Sequence, residues 1–459
     1  MRLFAPDDPR PIHFLGIAGA GMSALALMAR RRGVAVTGCD SDPAAAADVA
    51  RAGAEVHRGH DPSHVVGARA VVYTVAVPAD HPELEGARAA GIPVIRRAAA
   101  LREAVSTGTV VGVAGTHGKT TTTVMVTEAL AAAGLNPTGL AGGRVAAWGG
   151  NARLGGERLF VVEADEYDRS FLELWPTVAV VNNVEADHLE CYGSVEQLEA
   201  AFTEYAGRAE RVLVGVDDAG AARVGQAAGP PTWRVGLLEG ADLRIADVAQ
   251  DRQGSRARLA LPDGERVTLR LRVPGLHNVR NAAMAVGVAH ALSADLPRVL
   301  ESLAEFVGVG RRFESVGEAR GVIVVDDYAH HPTEVAATLA AARQRFPDAR
   351  LLAVFQPHLF SRTATHGEAL GVALSLADVV VVTDVYAARE RPMPGVSGKL
   401  VHDAARRAGA ETIWVPERDA LADRVAALVR TGDVVLTLGA GDITTVGPQL
   451  LSRLRGESA

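Results

Sequence analysis

Short apolar runs that end in glycine or a carboxylate recur along the chain, each followed by apolar residues at helical spacing. Such a run reads as a buried strand of a parallel sheet, and the amphipathic stretch after it as the helix that covers the sheet. Three segments begin this way. The first is PIHFLGIAGAGMSALALMARRRG, then VAVTGCDSD with a strand ending at Asp40, then AVVYTVAVP and IPVIRRA. The second is TVVGVAGTHGKTTTTVMVTEALAAAG, then RLFVVEADE and TVAVVNNVEADH. The third is GVIVVDDYAHHPTEVAATLAAARQRF, then RLLAVFQPH, DVVVVTDVY and DVVLTLGAG, with Pro332 where a helix accepts proline in its first turn. Ahead of the third, residues 234–273 alternate apolar and polar positions around an Asp-Gly turn, which predicts a β-rich patch with a hairpin. A helix is expected over 278–292. Alternating strand and helix predicts an α/β protein with mainly parallel sheets, and the three openings predict three domains.

Composition narrows this picture. The 459 residues are 48% hydrophobic and 22% charged, enough for large cores, while only 4% are aromatic. Net charge is −7 with no basic block, which argues against nucleic-acid or anionic-membrane partners. The opening MRLFAPDDPRPIHF has no apolar core of signal type, and no apolar run approaches the roughly 18–20 residues of a membrane span. Cys39 and Cys191 lie far apart without metal-type spacing, so a reduced, cytoplasmic protein is expected; a monomer or dimer is expected, a choice the sequence does not make. Only two residues of the chain are lysine, Lys119 and Lys399, against a Lys plus Arg total of 47. A lysine kept where arginine is otherwise preferred suggests a compact ammonium with a task; Lys399, in the polar loop PGVSGKL, reads as a surface residue.

The chemistry is carried at strand ends. Gly16, Ala18, Gly19, Ala20 and Gly21 follow the first strand and open a helix, where backbone N–H groups can hold a diphosphate. Asp40 stands nineteen residues after Gly21, in place for a ribose or base. Because Ala18 occupies the second glycine position of the dinucleotide fingerprint, NAD(P), another nucleotide and a purely structural turn all remain open for this loop. Gly115, Thr116, His117, Gly118, Lys119, Thr120 and Thr121 are more specific. A nest of N–H donors, a lysine for terminal phosphates and a threonine for Mg²⁺ make an ATP site. The strict phosphate-loop spacing would put glycine at Val113, so a variant family is expected. Glu163, Asp165, Glu166 and Asp168 follow one strand, and Glu185, Asp187 and His188 another; hard oxygens with one imidazole suit Mg²⁺ or Mn²⁺. Glu163, at its strand end, is the first choice of ligand. In the third segment Asp326, Asp327, Tyr328, His330, His331 and Arg362 form a polar set suited to a small zwitterion, although either histidine alone could be a helix cap.

In order along the chain, FLGIAGAGMS, VAGTHGKTTTT, VEADEYDRSFL, NNVEADHLECYG, PGLHNVRNA, GRRFE, VDDYAHHPTE, FQPHLFSRT and LGAGDIT resemble the motifs of the Mur ligase family. The resemblance implies three domains: an N-terminal Rossmann-like domain at 1–106 for a UDP-sugar, a central P-loop ATPase-type domain at 107–311 for Mg-ATP, and a C-terminal Rossmann-like domain at 312–459 for an amino acid. It implies ATP-dependent joining of L-alanine to the lactyl carboxylate of UDP-N-acetylmuramate through an acyl phosphate, in peptidoglycan precursor synthesis. The nearest rival within the family attaches a ready-made tripeptide to the same acceptor; FQPHLFSRT favours the alanine reaction. A dehydrogenase reading of the first loop leaves Lys119, Glu163 and His188 without a task.

By the same resemblance Lys119 contacts the phosphates, Thr120 and Glu163 serve one metal, and His188 a second. His277 and Asn281 lie at the adenine, and Arg312, in the glycine-spaced hinge at 308–313, reaches the γ-phosphate. Asp327 and His330 orient or deprotonate the amine, with Tyr328 beside them, and Arg362 grips the amino-acid carboxylate. The sequence departs from the family at Ala18, at Leu359 where some relatives carry arginine, and in having no lysine between Lys119 and Lys399 that could be carbamylated to hold a metal.

Overall fold

The computed structural model describes residues 2–388 and 390–457. Three sheets organise it. The N-terminal sheet holds β1 (Ile12–Leu15), β2 (Val36–Asp40), β3 (Glu55–Arg58), β4 (Ala70–Tyr73) and β5 (Val94–Arg96), in the order β3-β2-β1-β4-β5. Every pairing is parallel, as expected of Rossmann-like topology, and the order reverses between β1 and β4. The loop at 16–21 leaves the carboxyl end of β1, where open α/β sheets bind ligands.

The central sheet has ten strands: β6 (Thr109–Ala114), β7 (Thr138–Val145), β8 (Gly150–Arg153), β9 (Leu159–Glu163), β10 (Val178–Val181), β11 (Arg211–Gly215), β12 (Thr232–Gly236), β13 (Leu243–Asp251), β14 (Gly254–Ala260) and β15 (Arg266–Leu271). Their order is β15-β14-β13-β12-β11-β10-β6-β9-β7-β8. β6 lies between β10 and β9, in register Val113 with Glu163 and Ala114 with Val181, so the glycine loop after β6 is flanked by two other strand ends. The expected Asp-Gly turn joins β14 to β15, closed by the Leu261 N–H on the Glu265 carbonyl at 2.8 Å. The antiparallel pair β7–β8 was not foreseen. Its glycine-rich sequence, TGLAGGRV, lacks the alternation that marks a half-buried strand.

The third sheet orders β16 (Glu314–Ala319), β17 (Val322–Asp327), β21 (Val434–Leu438), β18 (Leu351–Phe355), β19 (Val379–Val382) and β20 (Glu411–Trp414). All pairings are parallel except β16 with β17. β16 reads ESVGEA, too polar to register as a strand, because an edge strand needs no apolar run.

The described chain divides into two compact units. The first runs from the N-terminus to Asp247 and includes Ala257–Leu269 and Arg280–Glu305. Within it one apolar cluster runs from Phe14 and Leu25 through Leu140 and Phe160 to Phe202, joining the first two sheets. A polar contact reinforces the join: Arg32 Nε donates to Glu157 at 3.0 Å. The second unit comprises Val248–Arg256, Arg270–Val279 and the chain from Phe306 onward, with apolar clusters on both faces of its sheet. Among the described residues, no helix is long and apolar enough to cross a membrane.

Candidate active site

The glycine loop after β6 is built from backbone that only glycine adopts cheaply. Gly115 has φ +143 and Gly118 φ +76, and a Cβ on Gly118 would stand 2.7 Å from Asn281 Oδ1. Two asparagines after β10 hold the loop. His117 N–H donates to Asn183 Oδ1 at 2.7 Å, and Asn182 Nδ2 donates to Thr122 Oγ1 at 3.1 Å. Thr116 accepts the Glu185 N–H on its hydroxyl at 2.9 Å, and His117 Nε2 lies 3.4 Å from Glu185 Oε2. The helix Lys119–Ala132 starts from Gly118 and ends before Gly134 at φ +85. Its four successive threonines are poor helix formers, yet Thr120 to Thr123 are all buried, so packing decides the helix.

Lys119 Nζ donates to the Gly115 carbonyl at 2.7 Å, the Thr116 carbonyl at 3.3 Å and Glu166 Oε1 at 2.8 Å. Burial opposes its charge, but Glu166, Asp165 and Glu163 outweigh that and hold its pKa above the ordinary value. Burial pushes the carboxyls of Glu163 and Glu166 upward against the same ammonium. Glu163 bridges two elements: Oε1 accepts from Thr120 Oγ1 at 3.0 Å, and Oε2 from the Gly142 N–H of β7 at 2.5 Å. Glu166 Oε2 is buried without a hydrogen-bond partner. His188 has left-handed backbone, φ 54, and its Nε2 lies 3.9 Å from Glu166 Oε1 and 3.7 Å from Asp187. Lys119, Thr120, Glu163, Glu166 and His188, dispersed over seventy positions of sequence, thus converge on one strand edge of the first unit. Asn281 joins them against Gly118.

In the N-terminal loop, Gly16 has φ +78, and the Ala18 N–H donates to Asp40 Oδ2 at 3.0 Å. Asp40 Oδ1 takes the Asp42 N–H at 3.1 Å, so the carboxylate expected at a ribose braces the loop's backbone. Gly19 caps the helix Ala20–Arg31 with no side-chain partner. Arg97, which the sequence reading passed over, places Nη1 2.8 Å from where a Cβ on Gly21 would stand. Its only signal was a second arginine after IPVI.

In the second unit, Asp327 ends β17 buried, with its oxygens on the Phe313 and Ala329 N–H groups, each at 2.8 Å. Burial pushes its carboxyl up to about 6, against Arg312 and those two amides. Tyr328 has the guanidinium carbons of Arg311 and Arg312 4.9 and 5.1 Å from its ring centre. Arg311 is anchored to Asp326 at 3.1 Å and to the Gly439 carbonyl at 2.7 Å. His330 Nδ1 lies 3.0 Å from the Tyr328 carbonyl and 3.2 Å from Glu334. His331, not His330, caps the helix Pro332–Arg345, in a capping box with Glu334 and with Pro332 at the first turn. Arg362 is buried in the helix Phe360–Leu374, 3.3 Å from His358, and His358 stacks on Tyr386 at 5.8 Å. Leu359, which precedes that helix, has a positive φ of 67. His277 falls in the helix Leu276–Ala291 and belongs to the second unit.

Against known proteins, family profiles match almost end to end. Residues 11–109 match "Mur ligase family, catalytic domain", 113–289 "Mur ligase middle domain", and 311–441 "Mur ligase, glutamate ligase domain". The UDP-N-acetylmuramate–L-alanine ligase of Thermobifida fusca is 44% identical, over 99% of this chain and all of that one. The crystal structure of UDP-N-acetylmuramate-alanine ligase from Thermotoga maritima is 31% identical, with a TM-score of 0.83 over 97% of this chain and 99% of that one. A murein peptide ligase from Psychrobacter arcticus is 25% identical, with a TM-score of 0.73 over 98% and 100%. A lysine held in a glycine nest, a threonine of the helix behind it paired with a glutamate from the adjoining strand end, and this end-to-end likeness agree: the chain belongs to the Mur ligase family.

Proposed function

We propose that this protein joins L-alanine to the lactyl carboxylate of UDP-N-acetylmuramate with consumption of ATP, in the cytoplasm, as a step of peptidoglycan precursor synthesis. The observation that carries the reading is 44% identity, over essentially both whole chains, with a relative of that name. Domain boundaries near 106 and 311 assign the UDP portion to the first domain, ATP to the second and the amino acid to the third.

A carboxylate is a poor acylating agent. Its oxygen attacks the γ-phosphorus of ATP, the bond to ADP breaks, and an acyl phosphate forms. The alanine amine attacks the acyl carbon, loses a proton and expels inorganic phosphate. Two anions meet in the first step, so charge neutralisation is the main demand. Lys119 meets that demand by exchanging its contacts to the Gly115 and Thr116 carbonyls for phosphate oxygens. Thr120 and Glu163, 3.0 Å apart, with the unpartnered Glu166 Oε2, are the hard-oxygen set that Mg²⁺ or Mn²⁺ takes. His188 stands beside them for a second ion. Bound there, such an ion supplies further positive charge at the phosphates. Asn281 and His277 serve the adenine, Arg312 the γ-phosphate, and Gly16 to Gly21 the UDP diphosphate.

Arg362 holds the alanine carboxylate. His330 orients the amine and accepts its proton, while Asp327, committed to two backbone amides, positions the segment that carries Tyr328 and His330. The test is phosphate release from ATP with UDP-N-acetylmuramate and either L-alanine or a tripeptide. Release with alanine is expected; release with the tripeptide alone would replace this reading by the recycling reaction.

A further inference from the structure

Five of the chain's fourteen histidines fall between residues 13 and 81, and no step above uses them. Four segments of the N-terminal domain bring two of these together with Cys39 and Glu83. β1 carries His13, β2 carries Cys39, and His60 lies just past β3. Glu83 sits in the first turn of the helix Pro82–Ala89.

We propose that Cys39, His60, Glu83 and His13 form a site for a divalent transition-metal ion of borderline softness, zinc being the type. Cys39 Sγ lies 3.2 Å from His60 Nδ1 and 3.1 Å from Glu83 Oε2, and His60 Nδ1 lies 3.6 Å from the same oxygen. Ligands held at about 2.0–2.3 Å around a tetrahedral ion stand roughly 3.3–3.7 Å apart, close to this triangle. A ring nitrogen of His13 comes within 4.8 Å of Cys39 and Glu83 ligand atoms.

Two further features point to an ion. His13 is fully buried, its Nδ1 is 3.0 Å from Thr37 Oγ1, and its Nε2 has no hydrogen-bond partner. An outer hydrogen bond on one ring nitrogen with the other left bare is the arrangement of a ligating imidazole. Glu83 is divided in the same way. Oε1 takes the Asp61 N–H and His64 Nδ1, each at 2.9 Å, which leaves Oε2 facing Cys39 and His60. Cys39 and Glu83 are fully buried, while the His60 side chain is 37% exposed and gives an entry path. A thiol, imidazoles and a carboxylate are the mixed set that zinc takes and magnesium does not. The Cys39 carbonyl accepts the Gly16 and Ile17 N–H groups at 2.9 and 3.1 Å, so an ion here would stiffen the base of the glycine loop. The site stands whether or not the ligase reading does.

Cobalt(II) is the probe. The full chain, freed of metal by chelation and kept in excess Mg²⁺ to fill the phosphate-loop site, is titrated with Co²⁺ and then with Zn²⁺. The expected result is about one Co²⁺ per chain, tetrahedral ligand-field bands and a thiolate-to-cobalt charge-transfer band, all removed by Zn²⁺. Cys191→Ser keeps the charge-transfer band, Cys39→Ser abolishes it, and His60→Gln weakens Co²⁺ binding at least about tenfold. No charge-transfer band in the wild-type chain would overturn the site, leaving a cluster closed by the Cys39 S–H on Glu83. The same band persisting in folded Cys39→Ser would overturn it equally. If Cys39→Ser fails to fold, the wild-type spectrum and the rim variant His60→Gln decide.

Discussion

Lys119→Met keeps the length and apolar stem of the side chain and removes its charge, so it separates the lysine's two tasks. In the resting site the ammonium satisfies two carbonyls and the buried Glu166 carboxylate at 2.8 Å. The Lys119 and Glu166 side chains are 15% and 3% exposed, so water replaces little of what is lost. Breaking a buried ion pair on one side costs about 3–5 kcal/mol. Glu166, its carboxyl already raised by burial, can take up a proton and bring the loss toward the lower end. For catalysis, one preorganised positive group at a developing phosphate charge is worth about 3–4 kcal/mol, or two to three orders of magnitude in kcat.

Urea unfolding gives the stability term, coupled ADP release the kinetic one, and calorimetry the affinity for UDP-N-acetylmuramate, expected within about twofold of wild type. The double variant Lys119→Met/Glu166→Gln recovers most of the stability, since no bare carboxylate remains, and none of the rate. Restored turnover in the double variant would refute the reasoning, because Lys119 would then serve only to neutralise Glu166. More than about a tenth of wild-type kcat in the single variant would remove it from the phosphates.

Three further outcomes follow from the same geometry. Arg362→Ala should raise KM for alanine about 10–100-fold, the worth of a charge-assisted hydrogen bond, with a smaller change in kcat; steady-state kinetics at saturating ATP would show it. Asp327 is raised from the ordinary 3.8 to about 6, so the folded state holds its proton more tightly than the unfolded state. Its ionisation therefore costs about 3 kcal/mol of stability above that pH, a cost that vanishes as pH falls below the unfolded value. Urea midpoints from about pH 4 to pH 7 should fall more steeply for wild type than for Asp327→Asn, and parallel curves would refute the shift. Gly118→Ala combines left-handed backbone with a Cβ 2.7 Å from Asn281 Oδ1, whereas Gly134→Ala has φ +85 and open space. Both should lose about 1 kcal/mol for the backbone, and only Gly118→Ala should also raise KM for ATP.

Much of the architecture is written locally. Apolar runs ending in glycine or acid, with a helix after each, depend on neighbours a few residues apart, so the alternation is legible without knowing what packs on what. The phosphate loop belongs to the same class, since strand, nest, lysine and helix are contiguous from Val113 to Val126. So does the turn that starts the helix Pro332–Arg345, although the sequence left the cap undecided between two histidines and packing chose His331.

What tertiary structure alone decided is the pairing of groups far apart in sequence. Glu166, one of several acids after β9, became the partner of Lys119 because β6 and β9 are neighbours in the sheet. Asp40 went to the Ala18 N–H and Asp327 to two backbone amides, and no spacing rule states how a carboxylate's oxygens will be divided. Residues 13, 39, 60 and 83 bear no mutual pattern along the chain. They meet because successive crossovers in the N-terminal domain return each element to one corner of it, where Cys39 and Glu83 are buried side by side. Local periodicity records which face of an element is buried; which polar groups share that burial is settled only when the sheet closes its order.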